Sequence, residues 1–327
     1  MSGGLLGPYL EKGEWQIQGS FNRYTSYEPF TGSEVQQGVI AADAEPKEGA
    51  GSLNFQGAYA LTRRINLTAD VPIILYSYWN YPLGGTRYEM KTRGLGDAVL
   101  GGRVWLFNTE KNTKQNLAFQ LALRLPTGDS NYQVLYPNGL GQDIKLRAAK
   151  SDIQPGSGAV GLRLAAQGFR RFGHFAVYGN ALYLFSLKEQ NDTYSILSTL
   201  NPGGPAAVPA NMRYNAAPDS YLYNAGVSAP VPHLKGLSFS LGGSMVGVPT
   251  YNAFTGSEGF RQPGYLVTLN PGLSLNTQLA SYFIGVPVRV YGYIGQDFSG
   301  AQQTANLNKT SLQFGVNFHL GGKKPTK

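Results

Sequence analysis

Cysteine is absent from the 327 residues, which excludes disulfide frameworks, thiolate-bound zinc, iron–sulfur clusters and covalently attached haem. Charge is scarce as well: Asp, Glu, Lys and Arg make up only 14% of the chain, against roughly 25% in an ordinary soluble domain. Long apolar runs are missing. The longest, Val71 to Tyr76, already contains Pro72 and falls far short of the ~18–20 residues that a membrane helix needs. A helical membrane protein is therefore excluded. Hydrophobic residues nevertheless reach an ordinary 42%, and Gly (43), Tyr (21) and Phe (16) fill the space that charge leaves. Such a composition fits an all-β protein that hides apolar surface without long apolar runs.

The formal charge of +8 raises the question of nucleic acid, but the 27 Lys and Arg are scattered along the chain. No basic block occurs before the short tail Lys323, Lys324, Lys327, so no nucleic-acid partner is expected. The first residues, Met1-Ser-Gly-Gly-Leu-Leu-Gly-Pro, have neither a basic n-region nor an apolar h-region and do not read as a secretory signal.

What the chain does contain is alternation. Trp15, Ile17, Gly19 and Phe21 oppose Gln16, Gln18, Ser20 and Asn22, the period of two that marks a strand. Leu53, Phe55, Gly57, Tyr59 and Leu61 oppose Asn54, Gln56, Ala58, Ala60 and Thr62, and after Arg63-Arg64 the pattern resumes from Ile65 to Ile73. Further stretches run at about 98–106, 117–125, 160–169, 175–187, 219–231, 237–249, 264–275, 282–296 and 309–320. About twelve strands result, each long enough to cross a bilayer core when tilted.

The connections alternate in length. Long ones are expected at about 28–50, 79–93, 127–157, 188–218, 250–263 and 297–308. Short ones fall at Arg63-Arg64, about 108–115, Arg170 to His174, Pro232 to Gly236 and about 276–281. This is the pattern of an antiparallel up-and-down transmembrane barrel with tight periplasmic turns and long extracellular loops. Two aromatic belts are expected, with Tyr24, Tyr27, Tyr76, Tyr78, Trp79, Tyr81, Tyr221, Tyr223, Tyr291 and Tyr293 at the long-loop end. Trp15, Phe107, Phe169, Phe172, Tyr282 and Phe318 mark the other. A soluble up-and-down or jelly-roll protein would also alternate, but it needs Lys and Glu on its polar faces. Here those faces carry Gln, Asn, Ser, Gly and a few Arg, as a lumen would.

Catalytic signals are weak. In Gly94-Leu95-Gly96-Asp97 the third glycine of a dinucleotide loop would fall on Val99, and no helix follows. There is no G-x-S-x-G, H-E-x-x-H or P-loop. Of the three histidines, His174 and His233 fall in short turns and His319 on a lumenal face, so no metal site is expected; Asp129-Ser130-Asn131 reads as a solvated loop. A phospholipase-type barrel needs His beside Ser on its outer wall, and no apolar face has one. An omptin-type protease needs His at the opposite rim. No enzymatic activity, cofactor or metal is expected.

The charged residues on polar faces are the candidates for function. Arg103, Arg124 and Arg163 fall on three consecutive strands and Arg289 on the eleventh, while Asp70 and Asp97 are the clear lumenal acids. With Gln120, Gln167 and His319 they are expected to line a pore with surplus positive charge, favouring anionic or electron-rich solutes. The alternative is an internal ion-pair network, Asp97 with Arg124 for instance, that plugs a narrow barrel.

Gly94-Leu95-Gly96-Asp97 and Leu125-Pro126-Thr127-Gly128-Asp129 also carry a resemblance. Together with Ser151-Asp152, Gly156-Ser157-Gly158 and the strand Val160 to Phe169, they resemble the outer-membrane protein family associated with the meta-pathway of phenol degradation. The likeness covers mainly about 94–187. It implies an outer-membrane barrel that passes aromatic or other hydrophobic compounds. One departure is the end of the chain: such barrels usually finish on an aromatic residue, whereas Phe318 is followed by His319-Leu320 and the tail 321–327.

The expectation is one domain over 1–327, with a lead at 1–13, a barrel at about 14–320 and a tail at 321–327. It lies in a bacterial outer membrane against lipopolysaccharide and phospholipid and passes small aromatic, hydrophobic or weakly anionic solutes. The other reading is a non-conducting scaffold whose loops, especially 127–157 and 188–218, bind an extracellular protein. Homo-oligomerisation stays open.

Overall fold

Segments with a period of two expose one face and hide the other, and a sheet that satisfies its own edges can do so in lipid. In the computed structural model, which describes residues 9–277 and 279–321, these segments form a closed antiparallel barrel of twelve strands. In chain order they are β1 (Trp15–Ser26), β2 (Lys47–Ala60), β3 (Ile65–Leu83) and β4, in two segments (Thr86–Leu95 and Val99–Trp105). Then come β5 (Gln115–Arg124), β6 (Gly161–Phe172), β7 (Phe175–Ser186), β8 (Ser220–Pro230) and β9 (Leu237–Val248). β10 (Gly264–Asn276), β11 (Ala280–Gly285 and Val288–Ile294) and β12 (Ser311–Leu320) complete the wall. β1 meets β12 from Trp15 opposite Leu320 to Tyr24 opposite Ser311, and this seam removes the free edge.

The outer wall is apolar. Phe55, Leu67, Leu100, Phe119, Leu121, Leu123 and Leu164 are all exposed there, Leu121 at 56%. Their neighbours Gln18, Asn66, Ala118, Ala122 and Asn317 are buried inside. A water-soluble barrel would have these faces reversed.

Three features depart from the sequence expectation. The connection expected at 79–93 is largely strand: β3 and β4 continue outward as a hairpin closed by Gly84-Gly85. Both glycines have positive φ (57° and 82°), as a two-residue hairpin turn of the primed type requires. Second, β3 carries a bulge, its pairing stepping from Ser52–Ile74 to Gly51–Tyr76 so that Leu75 is the extra residue. The bulge reverses which side chains face inward. Tyr76 and Tyr78 lie over Gly51 and Gly49 on the outside, whereas Trp79 turns into the barrel and is only 5% exposed, with Tyr81 packed alongside. Trp79 and Tyr81 are therefore not in the outer belt, and Tyr24, in the inward register of β1, is not either. Third, Phe169 of the expected lower belt faces inward against Trp105, ring centroids 6.3 Å apart.

The extracellular connections have a core of their own. Trp79, Leu83, Met90, Tyr136, Ala149, Ile153, Ile196 and Phe260 form one buried apolar cluster drawn from β3, β4 and three different loops. Two small two-stranded sheets (133–136 with 145–148, and 190–194 with 214–216) and a three-stranded one (29–31, 34–35, 304–306) stiffen this cap.

Leu121→Arg puts a guanidinium into hydrocarbon and should cost about 2–4 kcal/mol near the midplane. Asn180→Arg, on the inner face of β7, should cost a small fraction of that. Denaturant titrations in lipid vesicles read both, and equal costs would contradict the assignment.

Candidate functional site

Inward residues of β1 to β7 enclose a polar cavity of about 120 Å³ in the lower half of the barrel. Arg103, Arg163, Asp70, Gln120 and Gln167 line it, all five from the even or shifted registers singled out in the sequence. Gln16, Gln18, Gln56 and Asn180 line it as well and share the same inward period as Gln120 and Gln167. Arg163 Nη1 reaches Asp70 Oδ2 at 3.3 Å, spanning the lumen between β6 and β3. Gln56 Nε2 donates to the same carboxylate oxygen at 3.5 Å, and Gln120 Nε2 donates to Thr68 Oγ1 at 2.8 Å.

The four arginines have different surroundings. Arg163 has Asp70; Arg124 lies 3.9 Å from Asp97; Arg289 pairs with Glu28 and stands over the Phe30 ring at 4.6 Å. Glu28 is a third interior acid, overlooked because it precedes a proline in a region read as loop. Arg103 alone of the four has no carboxylate partner among the described residues; its guanidinium lies 5.7 Å from the Trp105 ring centroid, and its Nε is unpartnered. His319 sits near the periplasmic end opposite Gln16, away from the arginines, with Nε2 unpartnered.

Asp97 does not line the cavity; it holds a loop. It interrupts β4, and its carboxylate accepts the backbone N–H of Gly128 (3.1 Å) and of Ser157 (2.9 Å) and the Ser157 hydroxyl. Thr127 Oγ1 adds two bonds, donating to Gly96 O and accepting from Ala98 N, both at 2.8 Å. Gly128 and Gly156 touch here: a Cβ on Gly156 would stand 2.2 Å from Gly128 O, so no larger residue fits without moving the backbone. The separate segments around Gly96-Asp97, Thr127-Gly128 and Gly156-Ser157 thus converge on one knot. It ties both feet of the 125–160 connection to β4.

Both ends of the lumen are covered. From below, Leu10 is buried against the inward Ala58 and Ala60. Tyr9 sets its ring edge-on to Trp105, centroids 5.0 Å apart, and donates its hydroxyl to Asn112 O at 2.7 Å. Trp105 thus has both Tyr9 and Arg103 beside it. From above, the loop core around Trp79 covers the mouth, fixed by Lys150, which pairs with Glu48 at 3.2 Å and with Asp152. Burial alone would lower the Lys150 pKa, but Asp152 and Glu48 more than offset it, so the pKa is raised. Asp152 is pushed up by burial yet ends below its usual 3.8, because Lys150 favours the carboxylate.

Two outcomes follow. Asp97→Ala strips three acceptor bonds from the knot and should cost roughly 1–3 kcal/mol, seen as faster proteolysis within 127–157 while the barrel strands stay protected. The Lys150–Asp152 anchor should be insensitive to pH through the neutral range. A depressed carboxylate stabilises above its unfolded pKa and loses that contribution as pH falls through the folded value; a raised ammonium stabilises below its own unfolded pKa. Loop proteolysis by an acid-active protease should therefore accelerate only below about pH 3.8, and acceleration already near neutrality would contradict the pairing.

No family model matches the chain, and no curated protein does. Among solved structures it resembles an outer membrane channel from Pseudomonas putida F1, at 12% identity and a TM-score of 0.59, over 96% of this chain and 98% of that one. The fold is that of an outer-membrane barrel. With its apolar outer wall, that fold places the chain in the outer membrane of a bacterium, against lipid. The translocator domain of the autotransporter NalP from Neisseria meningitidis follows at 12% identity and TM-score 0.48, covering 95% of this chain and 89% of that one. The Pseudomonas putida toluene transporter TodX gives 8% and 0.46, covering 96% and 92%. At such identities the likeness concerns the fold alone.

Proposed function

We propose that this chain is a single-domain outer-membrane channel for passive movement of small solutes, aromatic and hydrophobic or weakly anionic. The observation that carries the reading is Arg103. A guanidinium inside a barrel with no carboxylate beside it is tolerated only where water or an anionic or π-rich solute can reach it. The lumen around it is therefore hydrated, and its wall is lined with amides rather than packed shut. What closes the ends is Tyr9 and Leu10 of the lead below and, above, the loop residues packed around Trp79. Segments of this kind can move without breaking the ladder. The other three of these arginines have nearby acids, so among the four and their partners the positive surplus is one charge rather than the two expected from sequence.

Reversal potentials across planar bilayers test this. The wild type should prefer anions, more so at low salt, because the screening length grows from about 3 Å at 1 M to about 30 Å at 0.01 M. Arg103→Gln should remove most of that preference with the barrel intact, and Arg163→Gln should weaken it likewise, because the freed Asp70 then offsets Arg103 in the same cavity. The double change Tyr9→Ala with Leu10→Ala should raise single-channel conductance. A wild type that is cation-selective would sink the role of Arg103. Absence of conductance in both the wild type and the double variant would favour the non-conducting scaffold.

A further inference from the structure

The outer wall changes character between one row of side chains and the next. Across β1 to β4 the pairing sets Phe21 opposite Leu53, Leu53 opposite Ile73 and Ile73 opposite Leu95, an apolar row at one height. One step higher the row is Arg23, Gly51, Tyr76 and Arg93, with Arg93 opposite the Leu75 bulge. The step after that is Thr25, Gly49, Tyr78 and Lys91. Arg23 shares the register of the exposed Trp15 and Ile17, and Arg93 that of the exposed Leu95, while Met90 and Thr92 face inward. Trp15 and Arg23 are eight residues apart, roughly 20 Å of height at ~3.3 Å per residue and ~40° of tilt. That is close to the ~25 Å apolar band of an outer-membrane barrel, so the cations stand at the extracellular edge of the hydrocarbon, where headgroups begin.

These cations are not spent within the chain. Among the described residues no carboxylate pairs with Arg23, Lys91 or Arg93, whereas Lys47, Arg87, Arg147 and Lys188 in the cap each pair with an acid. Glu89 lies one step above Lys91, so three cations against one acid leave two positive charges in excess. The glycines of β2 bring further donors. A Cβ on Gly51 would stand 2.5 Å from Tyr76 Cε1, and one on Gly49 would stand 2.8 Å from Tyr78 Cε1, so only glycine lets these rings lie down across the strand. Each phenol is thereby carried from β3 over β2, into the space between Arg23 on one side and Arg93 and Lys91 on the other. Guanidinium forks match phosphate oxygens in pairs, and phenols add single donors. Three strand spacings of ~4.8 Å set the Arg23 and Arg93 backbones roughly 14 Å apart. Such a width suits a sugar headgroup with a phosphate at each end better than a lone phosphate ion.

We infer that this patch is a binding site for lipopolysaccharide, the phosphorylated glycolipid of the outer leaflet. Its phosphates sit on Arg23, Arg93 and Lys91 with the Tyr76 and Tyr78 hydroxyls between them, and its acyl chains run down over Phe21, Leu53, Ile73 and Leu95. The site lies on the outside of the wall and depends on the membrane orientation of the barrel, not on whether the lumen conducts.

Native mass spectrometry of the full-length refolded barrel in detergent tests it, with lipid A, the membrane-anchored part of that glycolipid, as the probe. EDTA is present so that no divalent cation bridges phosphates. Bisphosphoryl lipid A should bind about tenfold more tightly than the monophosphoryl form, and the dephosphorylated form should bind weakest. Arg23→Gln with Arg93→Gln should lower the affinity for the bisphosphoryl form by about tenfold or more, while Arg23→Lys with Arg93→Lys should keep most of it. Lys145→Gln with Lys188→Gln, which removes cap cations already paired with acids, should change nothing. Gel migration without boiling checks that every variant is still a closed barrel. Equal binding of the dephosphorylated lipid, or undiminished affinity in the double glutamine variant, would overturn the site. Phosphatidylglycerol binding as tightly as lipid A would make the patch a general anionic surface, and displacement of lipid A by millimolar inorganic phosphate would make it a phosphate site. Either result sinks the assignment to lipopolysaccharide. Current is not part of the readout, so a barrel that fails to conduct leaves the site standing.

Discussion

The closed hydrogen-bond ladder is the constraint on which everything else depends. In hydrocarbon no water replaces a missing backbone partner, so every N–H and C=O of the wall must find another strand, and an open edge would cost several kcal/mol per group. The β1–β12 seam, ten residue pairs from Trp15–Leu320 to Tyr24–Ser311, meets that demand at the one place where chain order cannot. With the ladder closed, side chains must divide between lipid and lumen, and the alternation along each strand follows.

The wall is not uniform, and its irregular points are where the interior is built. The Leu75 bulge turns Trp79 inward and so supplies the centre of the loop core. The break in β4 at Gly96-Asp97-Ala98 frees a carboxylate to catch the backbone of Gly128 and Ser157. The break in β11 at Val286-Pro287 interrupts its ladder with β12, and beyond it Ser311 N–H bonds Pro287 O and Arg289 N–H bonds Lys309 O. Each interruption gives up ladder hydrogen bonds and recovers them with loop or side-chain partners, so the cap is joined to the barrel where the barrel is weakest.

Interior charge obeys a similar economy. Arg163 with Asp70, Arg124 near Asp97 and Arg289 with Glu28 join distant parts of the chain: strand across to strand, strand to loop foot, strand to first loop. Such pairs serve register and placement more than net stability, because desolvating two charges offsets most of their attraction. Arg103 stands outside this scheme, between Trp105 and the polar cavity, and it is the residue least explained by architecture alone.

Strand number, direction of the faces and membrane location were all legible in the sequence, because each is a local property repeated twelve times: apolar positions alternating with polar ones. That Arg103 and Arg163 face inward was legible for the same reason. Their partners were not. Which carboxylate meets which arginine depends on the registers of the three pairings from β3 to β6 for Asp70 and Arg163, and on the path of a 36-residue connection for Asp97 and Ser157. The fate of Trp79 and Tyr81 turned on a single inserted residue, invisible to periodicity because Leu75 is as apolar as its neighbours. Loop packing was decided by tertiary structure alone, since Tyr136, Ile153, Ile196 and Phe260 have no common period and meet only because the barrel rim brings their loops together.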